Sequence, residues 1–256
     1  MNKSPVRPEG LEGKVAVVTG GGVGLGREVA AQLLAHGARV AIIGRTRGTL
    51  EKAAAELGAA LLPVVADVAD PNQVRQAFAE IEKACGGVDI LVNNAAVYQA
   101  FTLDQASDAE LQSTFAVNVL GPSYCIRAAL PLMRRRGGGD IVNVSSESVH
   151  HPFPYLTAYA ASKGALETLT LGLRSELKGE NIRVMLYRSG HMHGDNASLQ
   201  SWPEGRLEAF IEAITLSGHI RFSGEGIAPA TAARALVSTI ALPREANVDV
   251  IEVRPL

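Results

Sequence analysis

Tyr159 and Lys163 lie four residues apart in a stretch with helical periodicity, so their side chains share one face of a helix. A free tyrosine titrates near about pH 10, whereas proton exchange with an alcohol or carbonyl at neutral pH needs a more acidic hydroxyl. A neighbouring lysine cation stabilises the phenolate and supplies that acidity. Isolated pairs at this spacing are common on helix surfaces, but of the five tyrosines only Tyr159 has a lysine four residues later.

A serine precedes this pair at the end of a predicted strand. Ser146 lies thirteen residues before Tyr159 and directly follows the apolar run 140–145. Open parallel sheets bind their ligands at the carboxyl ends of the strands. Ser146 is therefore placed to meet a substrate, with Ser145 as the alternative.

A glycine-rich turn, TGGGVGLG, occupies residues 19–26 between the first predicted strand and the first predicted helix. A helix N-terminus presents unpaired N–H groups and a partial positive charge, so it can accept a pyrophosphate. Gly20 permits the turn, Gly24 lets the backbone approach the phosphates, and Gly26 lets the helix pack closely on the strand. Tight turns use glycine anyway, but the strand–turn–helix context favours a nucleotide site.

The apolar runs that must position these residues are short, β-branched and separated by helical patterns. Strands without polar alternation are buried on both faces, as in a parallel sheet covered by helices. The alternation predicts an α/β fold, a Rossmann-type doubly wound parallel sheet of about seven strands with helices on both faces. The predicted strands are 14–19, 39–43, 60–66, 88–93, 140–145, 182–187 and 248–253, and the predicted helices are 26–36, 47–57, 72–85, 108–136 and 158–178.

The chain shows no linker or internal repeat, so we predict a single catalytic domain over residues 12–256 after a disordered polar lead, 1–11. Residues 190–226 interrupt the strand–helix rhythm with three of the six histidines and several glycines. Long irregular connections inside compact domains are often binding loops or lids. We therefore predict that this segment is a substrate loop.

Charge and cysteine content narrow the classes of partner. Lys plus Arg is 24 and Asp plus Glu is 26, a net charge of −2, which lacks the basic surface of a nucleic-acid binder. Two cysteines cannot form a disulfide scaffold and favour a reducing, cytoplasmic location. No apolar run approaches the length of a membrane span. We expect a cytoplasmic protein with a small-molecule substrate and neither nucleic acid nor membrane as partner.

Taken together, the motifs resemble those of the short-chain dehydrogenase/reductase family and occur in that family's order. The resemblance extends from about residue 11 to residue 255 and implies hydride transfer between a nicotinamide cofactor and a small or medium alcohol or ketone. The motifs are the TGxxxGxG turn, Asp67-Val68, Asn93-Asn94-Ala95-Ala96, Asn118, Ser146 and Tyr159-x-x-x-Lys163.

The resemblance implies a role for each matched residue. Tyr159 would be the general acid/base, Lys163 would orient the nicotinamide ribose, and Ser146 would bind the substrate oxygen. Asn118 would support Lys163 through a bound water. The expected cofactor-binding residues are Thr19, Gly20, Gly22, Val23, Gly24, Leu25, Gly26, Gly44, Arg45, Thr46, Asp67, Val68, Asn94, Ala95, Ala96, Tyr159, Lys163, Gly190 and Met192.

The end of the second strand predicts the choice of cofactor. A carboxylate there would bind the ribose 2′-hydroxyl of NAD and repel a 2′-phosphate. This chain has Arg45 and Arg47 instead, and guanidinium groups pair well with phosphate. We therefore expect NADP(H) in preference to NAD(H), with an NAD-dependent alcohol dehydrogenase as the alternative.

The loop after the sixth strand departs from the family pattern. Ser189 stands where the family has proline, and Gly194 stands where it has a threonine that bonds the nicotinamide carboxamide, while Gly190 is kept. Met192 could still pack on the nicotinamide ring. These changes suggest a rival hypothesis, a catalytically silent NADP-binding sensor, which the complete set of catalytic residues opposes.

Three further residues are candidates for substrate contact: His150, His151 and Trp202. His191 and His193 have only Asp195 as a nearby third ligand, so we expect no metal. The family commonly pairs its two long helices, here 108–136 and 158–178, into a four-helix interface, which implies a homodimer or homotetramer.

Overall fold

The architecture is a seven-stranded, all-parallel sheet with helices on both faces, which confirms the predicted fold class. The computed structural model describes residues 10–193 and 202–256. The strand order is β3-β2-β1-β4-β5-β6-β7. From β1 the sheet grows to one side through β2 and β3, and β4 then starts the other half on the opposite side of β1. The strands are β1 (Val15–Thr19), β2 (Arg39–Gly44), β3 (Leu61–Val65), β4 (Ile90–Asn93), β5 (Gly139–Ser146), β6 (Ile182–Ser189) and β7 (Val250–Val253).

The helices form two layers around the sheet. The helices α1, α2 and α9 cover one face, and α3, α5 and α6 cover the other. The described helices are α1 (Gly24–Ala35), α2 (Arg47–Leu57), α3 (Pro71–Cys85), α4 (Asp108–Phe115), α5 (Gly121–Arg135), α6 (Thr157–Glu176), α7 (Arg206–Leu216), α8 (Ile220–Ser223) and α9 (Pro229–Ile240).

Strand β1 shows why the apolar runs lack alternation. Ala16 and Val18 enter the core beneath α1 and α9, whereas Val15 and Val17 enter the core beneath α3 and α5. All five residues of the strand are buried. Because both faces are covered, both sets of side chains must be apolar.

The predicted helix 108–136 is interrupted by one π-helical turn. Residues Ala116–Leu120 form this turn between α4 and α5. A π turn inserts an extra residue into the helical ladder and often marks a functional position. Here it contains the buried side chain of Asn118.

The described part of the segment 190–226 is more regular than predicted. It contains α7 and α8, and residues 194–201 lie outside the described part of the chain. Of the predicted disordered lead, residues 1–9 also lie outside it, whereas Leu11 is already buried and donates its N–H to the His36 carbonyl at 2.8 Å. The packed domain therefore begins one residue before the predicted boundary.

Within residues 10–193 and 202–256, no helix combines the length and the apolar character needed to cross a bilayer.

The first helix approaches the sheet so closely that a side chain at Gly26 would not fit. A Cβ there would lie 2.4 Å from the Gly20 carbonyl oxygen and 2.5 Å from Asn94 Nδ2. Contacts this short require the backbone to move, so Gly26 fixes the distance between α1 and the ends of β1 and β4.

We expect Gly26→Ala to lower the free energy of unfolding by about 1–3 kcal/mol, because overpacking outweighs the gain in helix propensity. The matched control is Gly48→Ala in α2, where a Cβ would meet nothing within 4 Å. That variant should be neutral or more stable by up to about 1 kcal/mol. Denaturant unfolding measures both, and equal effects at the two positions would contradict the packing argument.

Candidate active site

A cleft of about 720 Å³ opens at the carboxyl ends of the strands, within the size range of small-molecule sites. It lies beside the position where the strand order reverses, which is where open α/β sheets bind their ligands. The expected site residues that line it are Gly20, Val23, Gly24, Leu25, Gly44, Arg45, Asp67, Val68, Asn94, Ala95, Ala96, Ser146, Tyr159, Lys163, Gly190 and Met192.

The glycine-rich turn forms a cradle at the start of α1. Gly20 and Gly24 have φ angles of +65° and +52°, which favour glycine. A Cβ at Gly20 would lie 2.9 Å from Asn94 Nδ2 and 3.0 Å from Ala95 Cα, so a side chain would collide with the residues after β4. The helix begins at Gly24, and its first residues, Gly24 and Leu25, line the cleft, where the first N–H groups of a helix have no partner within the helix. This geometry fits the pyrophosphate of a dinucleotide.

Other expected cofactor residues support the cradle from outside. The Thr19 hydroxyl accepts hydrogen bonds from the Asn94 and Ala95 N–H groups, both at 3.0 Å. The Asn94 side chain donates to the Thr19 carbonyl at 3.0 Å and to the Gly20 carbonyl at 3.3 Å. Gly22 packs near Thr49, because a Cβ there would lie 3.0 Å from the Thr49 methyl carbon. These contacts tie the end of β1 to the end of β4.

The ends of β2 and β3 form the other end of the cleft. Arg45 is exposed and lines the cleft, and Thr46 is the residue before α2. Arg47 instead lies 3.7 Å from Glu51 on the outer surface of α2. Asp67 is held by its own turn, in which its carboxylate accepts the Ala69 N–H at 2.9 Å.

At the centre of the cleft, Tyr159 hydrogen-bonds with the side chain of Ser146. Ser146 ends β5, and Tyr159 lies in the first turn of α6. The neighbouring Ser145 hydroxyl donates to the Glu167 carboxylate at 2.8 Å. The structure thus brings Ser146, rather than Ser145, to Tyr159.

Burial raises the pKa of the Tyr159 hydroxyl to about 12, and its hydrogen bond with Ser146 opposes this rise. The sequence predicted an acidified tyrosine, and this expectation is wrong for the geometry described here. The Lys163 ammonium lies 5.8 Å from the Tyr159 ring centroid and donates to the Val144 carbonyl at 2.7 Å. Desolvation therefore dominates, and Tyr159 keeps its proton at neutral pH.

The same burial lowers the pKa of Lys163 to about 8. Its side chain is 2% exposed. Since its nitrogen is anchored on the Val144 carbonyl, Lys163 is fixed beneath the centre of the cleft and can present its remaining N–H groups to a ligand there.

The Asn118 side chain is committed to protein partners. Its Oδ1 accepts the Val97 N–H at 2.7 Å, and its Nδ2 donates to the Val97 carbonyl and to Ser162 Oγ, both at 3.0 Å. The π-helical turn is thereby joined to the strand-end loop and to α6. In this arrangement the Asn118 side chain positions the segment before Tyr98, and the expected support of Lys163 through a bound water stays a prediction.

The loop after β6 is held by close backbone packing. A Cβ at Gly190 would lie 2.7 Å from Arg254 Cα, so the β7 end excludes any larger residue. The Ser189 hydroxyl donates to the Gly190 carbonyl at 3.0 Å. Met192 forms an isolated bridge with Ile227 and faces the cleft, whereas Gly194 lies outside the described residues.

The three expected substrate residues do not lie among the described cleft-lining residues. His151 stacks on Phe222 of α8 with ring centroids 4.4 Å apart, and His150 is exposed. Trp202 is buried and donates its indole N–H to the Tyr98 carbonyl at 2.9 Å. His151 and Trp202 thus contact Phe222 and Tyr98, respectively, and do not themselves line the cleft.

Sequence reasoning missed Tyr98, Glu147 and the apolar face of α7, all of which line the cleft. The Tyr98 ring meets the Tyr159 ring edge-on at 5.0 Å. Burial raises the pKa of Tyr98, so it stays neutral. The signal for α7 was present, since Leu207, Phe210, Ile211 and Ile214 have the i, i+3, i+4, i+7 spacing of an amphipathic helix.

In the described part of the chain, no three His, Cys, Asp or Glu side chains are grouped as metal ligands. Asp195, the third candidate ligand near His191 and His193, lies outside it.

We expect Lys163→Met to stabilise the protein at pH 7 by up to about 3 kcal/mol, because the buried amine of the folded state has a pKa of about 8 against an ordinary 10.5. Between these values the unfolded chain binds more protons, so the stability of the unmodified protein rises with pH and the advantage of the variant shrinks towards pH 10. Denaturant unfolding at pH 7, 8.5 and 10 measures this trend. Exposed Lys52→Met is the control, and an advantage that stays constant with pH would refute the burial cost.

Comparison with known proteins identifies the family. A model of the short chain dehydrogenase family matches residues 14–202. A short-chain type dehydrogenase/reductase of Picea abies is 37% identical over 236 residues, 87% of this chain and 85% of that protein. Galactitol 2-dehydrogenase (L-tagatose-forming) of Cereibacter sphaeroides is 40% identical over 186 residues, 71% of this chain and 72% of that protein.

The fold is also shared with a solved structure. The L-sorbose reductase of Gluconobacter frateurii, complexed with NADPH and L-sorbose, superposes with a TM-score of 0.84 at 28% identity and covers 97% of both chains. The chain therefore belongs to the short-chain dehydrogenase/reductase family and is an oxidoreductase that acts on CH–OH groups or the corresponding carbonyls.

Proposed function

We propose that the protein is an NADP(H)-dependent oxidoreductase that transfers a hydride between nicotinamide and a small or medium alcohol or ketone, with Tyr159 as the general acid/base. The observation that carries this proposal is that Ser146, Tyr159 and Lys163 line the same cleft as the glycine cradle. Proton transfer and cofactor binding are thus accommodated in one continuous space.

The chain's own residues supply geometry and a proton. A bound nicotinamide cofactor supplies the hydride. Ser146 can hold the substrate oxygen beside Tyr159, and the raised pKa of Tyr159 keeps the proton that a carbonyl oxygen takes up on reduction. Lys163, anchored on the Val144 carbonyl, is placed to orient the nicotinamide ribose.

The preference for NADP(H) rests on Arg45. Arg45 lines the cleft at the end of β2, where a dinucleotide-binding fold places the adenosine ribose. A guanidinium group there can form a bidentate contact with a 2′-phosphate. The NADPH in the structure of the L-sorbose reductase supports the same choice of cofactor.

Substitution of the proposed acid tests the catalytic role. Tyr159→Phe removes only the hydroxyl, and we expect kcat to fall by at least about 100-fold while the cofactor Kd changes by less than about two-fold. Tyr155→Phe, a neighbouring tyrosine that does not line the cleft among the described residues, is the control. Retained turnover in Tyr159→Phe would exclude this residue as the acid, and cofactor binding without turnover in the unmodified protein would favour the sensor hypothesis.

Substitution of Arg45 tests the choice of cofactor. We expect Arg45→Gln to weaken NADPH binding by about 10- to 100-fold, the value of one charge-assisted pair, and NADH binding by less than about three-fold. Arg47→Gln is the matched control, because Arg47 lies beside Glu51 and outside the cleft lining. Isothermal titration calorimetry measures both cofactors. Equal losses for NADPH and NADH, or tighter NADH binding to the unmodified protein, would favour an NAD-dependent enzyme.

A further inference from the structure

We infer that the substrates of this protein are ketones and secondary alcohols with an apolar body of several carbons, not polyhydroxylated ones. This inference rests on the proposed function, because it takes the cleft beside Tyr159 as the substrate site. It follows from the side chains that enclose that part of the cleft.

One wall of the substrate side comes from the loops after β4 and β5. Tyr98 follows β4, and Phe153 and Leu156 precede α6, and all three line the cleft. Phe153 and Leu156 are buried at 6% and 3% exposure. This wall presents aromatic and aliphatic carbon to a ligand held at Ser146 and Tyr159.

The adjoining wall is the apolar face of α7 with the start of α8, since Phe210 and Ile214 pack in one cluster with Phe153 and Leu156. Leu207, Phe210, Ile211 and Ile214 lie on one face of α7 and line the cleft, as does Ile220 of α8. Ile211 is 47% exposed and Ile220 is 45% exposed, although both are large aliphatic residues. Their exposed surface faces a space that an apolar ligand would fill and water would leave.

The aromatic part of the wall is held in a fixed position from behind. The Trp202 ring lies 5.5 Å from the rings of both Tyr98 and Phe210, measured between centroids. Its indole N–H donates to the Tyr98 carbonyl. An aromatic cluster of this kind keeps its shape without a ligand, so the apolar surface is preorganised.

Few polar side chains line this side of the cleft, and several of them already have partners. Ser146 and Tyr159 bond to each other and meet the reacting oxygen. Glu147 accepts the His191 N–H at 3.1 Å, and burial raises the pKa of its carboxyl group. The hydroxyl of Ser148, which also belongs to the cleft lining, is buried and has no hydrogen-bond partner among the described residues.

Few described groups therefore remain to replace the water bound to additional substrate hydroxyls, and each unpaired hydroxyl would weaken binding. The names of two relatives specify sugars or sugar alcohols, and the inference predicts a different substrate class for this chain. A sugar or sugar alcohol carries a hydroxyl group on nearly every carbon, which the wall of α7 cannot satisfy.

A homologous series of ketones tests the inference. The full chain is assayed with its tighter-binding nicotinamide cofactor on methyl ketones from 2-butanone to 2-octanone, with dihydroxyacetone and L-sorbose as hydroxylated comparators. We expect kcat/KM to rise by about four-fold per methylene until the wall is covered. We expect 2-hexanone to exceed L-sorbose by at least about 100-fold. A flat or falling series, or L-sorbose equal to 2-hexanone, overturns the inference.

A pair of variants on α7 distinguishes a loss of apolar contact with the substrate from a general loss of enzyme activity. Ile211→Asn should lower kcat/KM for 2-octanone by at least about ten-fold and leave 2-butanone within about two-fold. Leu216→Asn is the matched control, because Leu216 is on the same helix, is 81% exposed and does not line the cleft. It should change neither value. Equal effects of Ile211→Asn on both ketones would place the wall elsewhere and contradict the inference.

The two proposals fail in different ways. Turnover of ketones without dependence on chain length overturns the apolar substrate class and leaves the proposed function standing. Cofactor binding with no turnover of any ketone or alcohol overturns the proposed function and this inference with it.

Discussion

The site depends on how closely the start of α1 approaches the ends of β1 and β4. The Gly20 carbonyl and the Asn94 amide occupy the space that a side chain at Gly26 would need, and the Thr19 hydroxyl joins the two strand ends from beneath. These contacts fix the direction of the first helix and, with it, the N–H groups that face the cleft. The cleft opens at the ends of β1 and β4, two neighbouring strands that are followed by helices on opposite faces of the sheet.

The centre of the cleft has a different constraint, since two ionisable groups are buried together. Burial raises the pKa of Tyr159 and lowers that of Lys163, so both shifts favour the uncharged forms. The protein alone therefore does not hold a tyrosinate beside the lysine, and the proton remains on Tyr159. The buried lysine lies at a position where a ligand can use its nitrogen, and perturbed pKa values of this kind are common at functional sites.

The parts that the sequence could predict depend on local patterns. The glycine turn, the strand ends and the Tyr159–Lys163 spacing are properties of short segments, and the predicted sheet followed from β-branched runs. The acidity of Tyr159 depends on burial and on the Val144 carbonyl that holds Lys163, which no spacing reveals. Tyr98 and Glu147 reach the cleft through tertiary packing. The helix α7 could have been predicted, because its apolar residues have helical spacing. The glycines and histidines around them instead suggested a loop.

The placement of Trp202 has an optical consequence. It is the single tryptophan of the chain, and its ring packs against two residues that line the cleft. Tryptophan emission overlaps the absorption band of reduced nicotinamide, and it also responds to changes in packing around the indole ring. The protein therefore carries an intrinsic fluorophore next to its cleft, and its emission can follow ligand entry without an attached label.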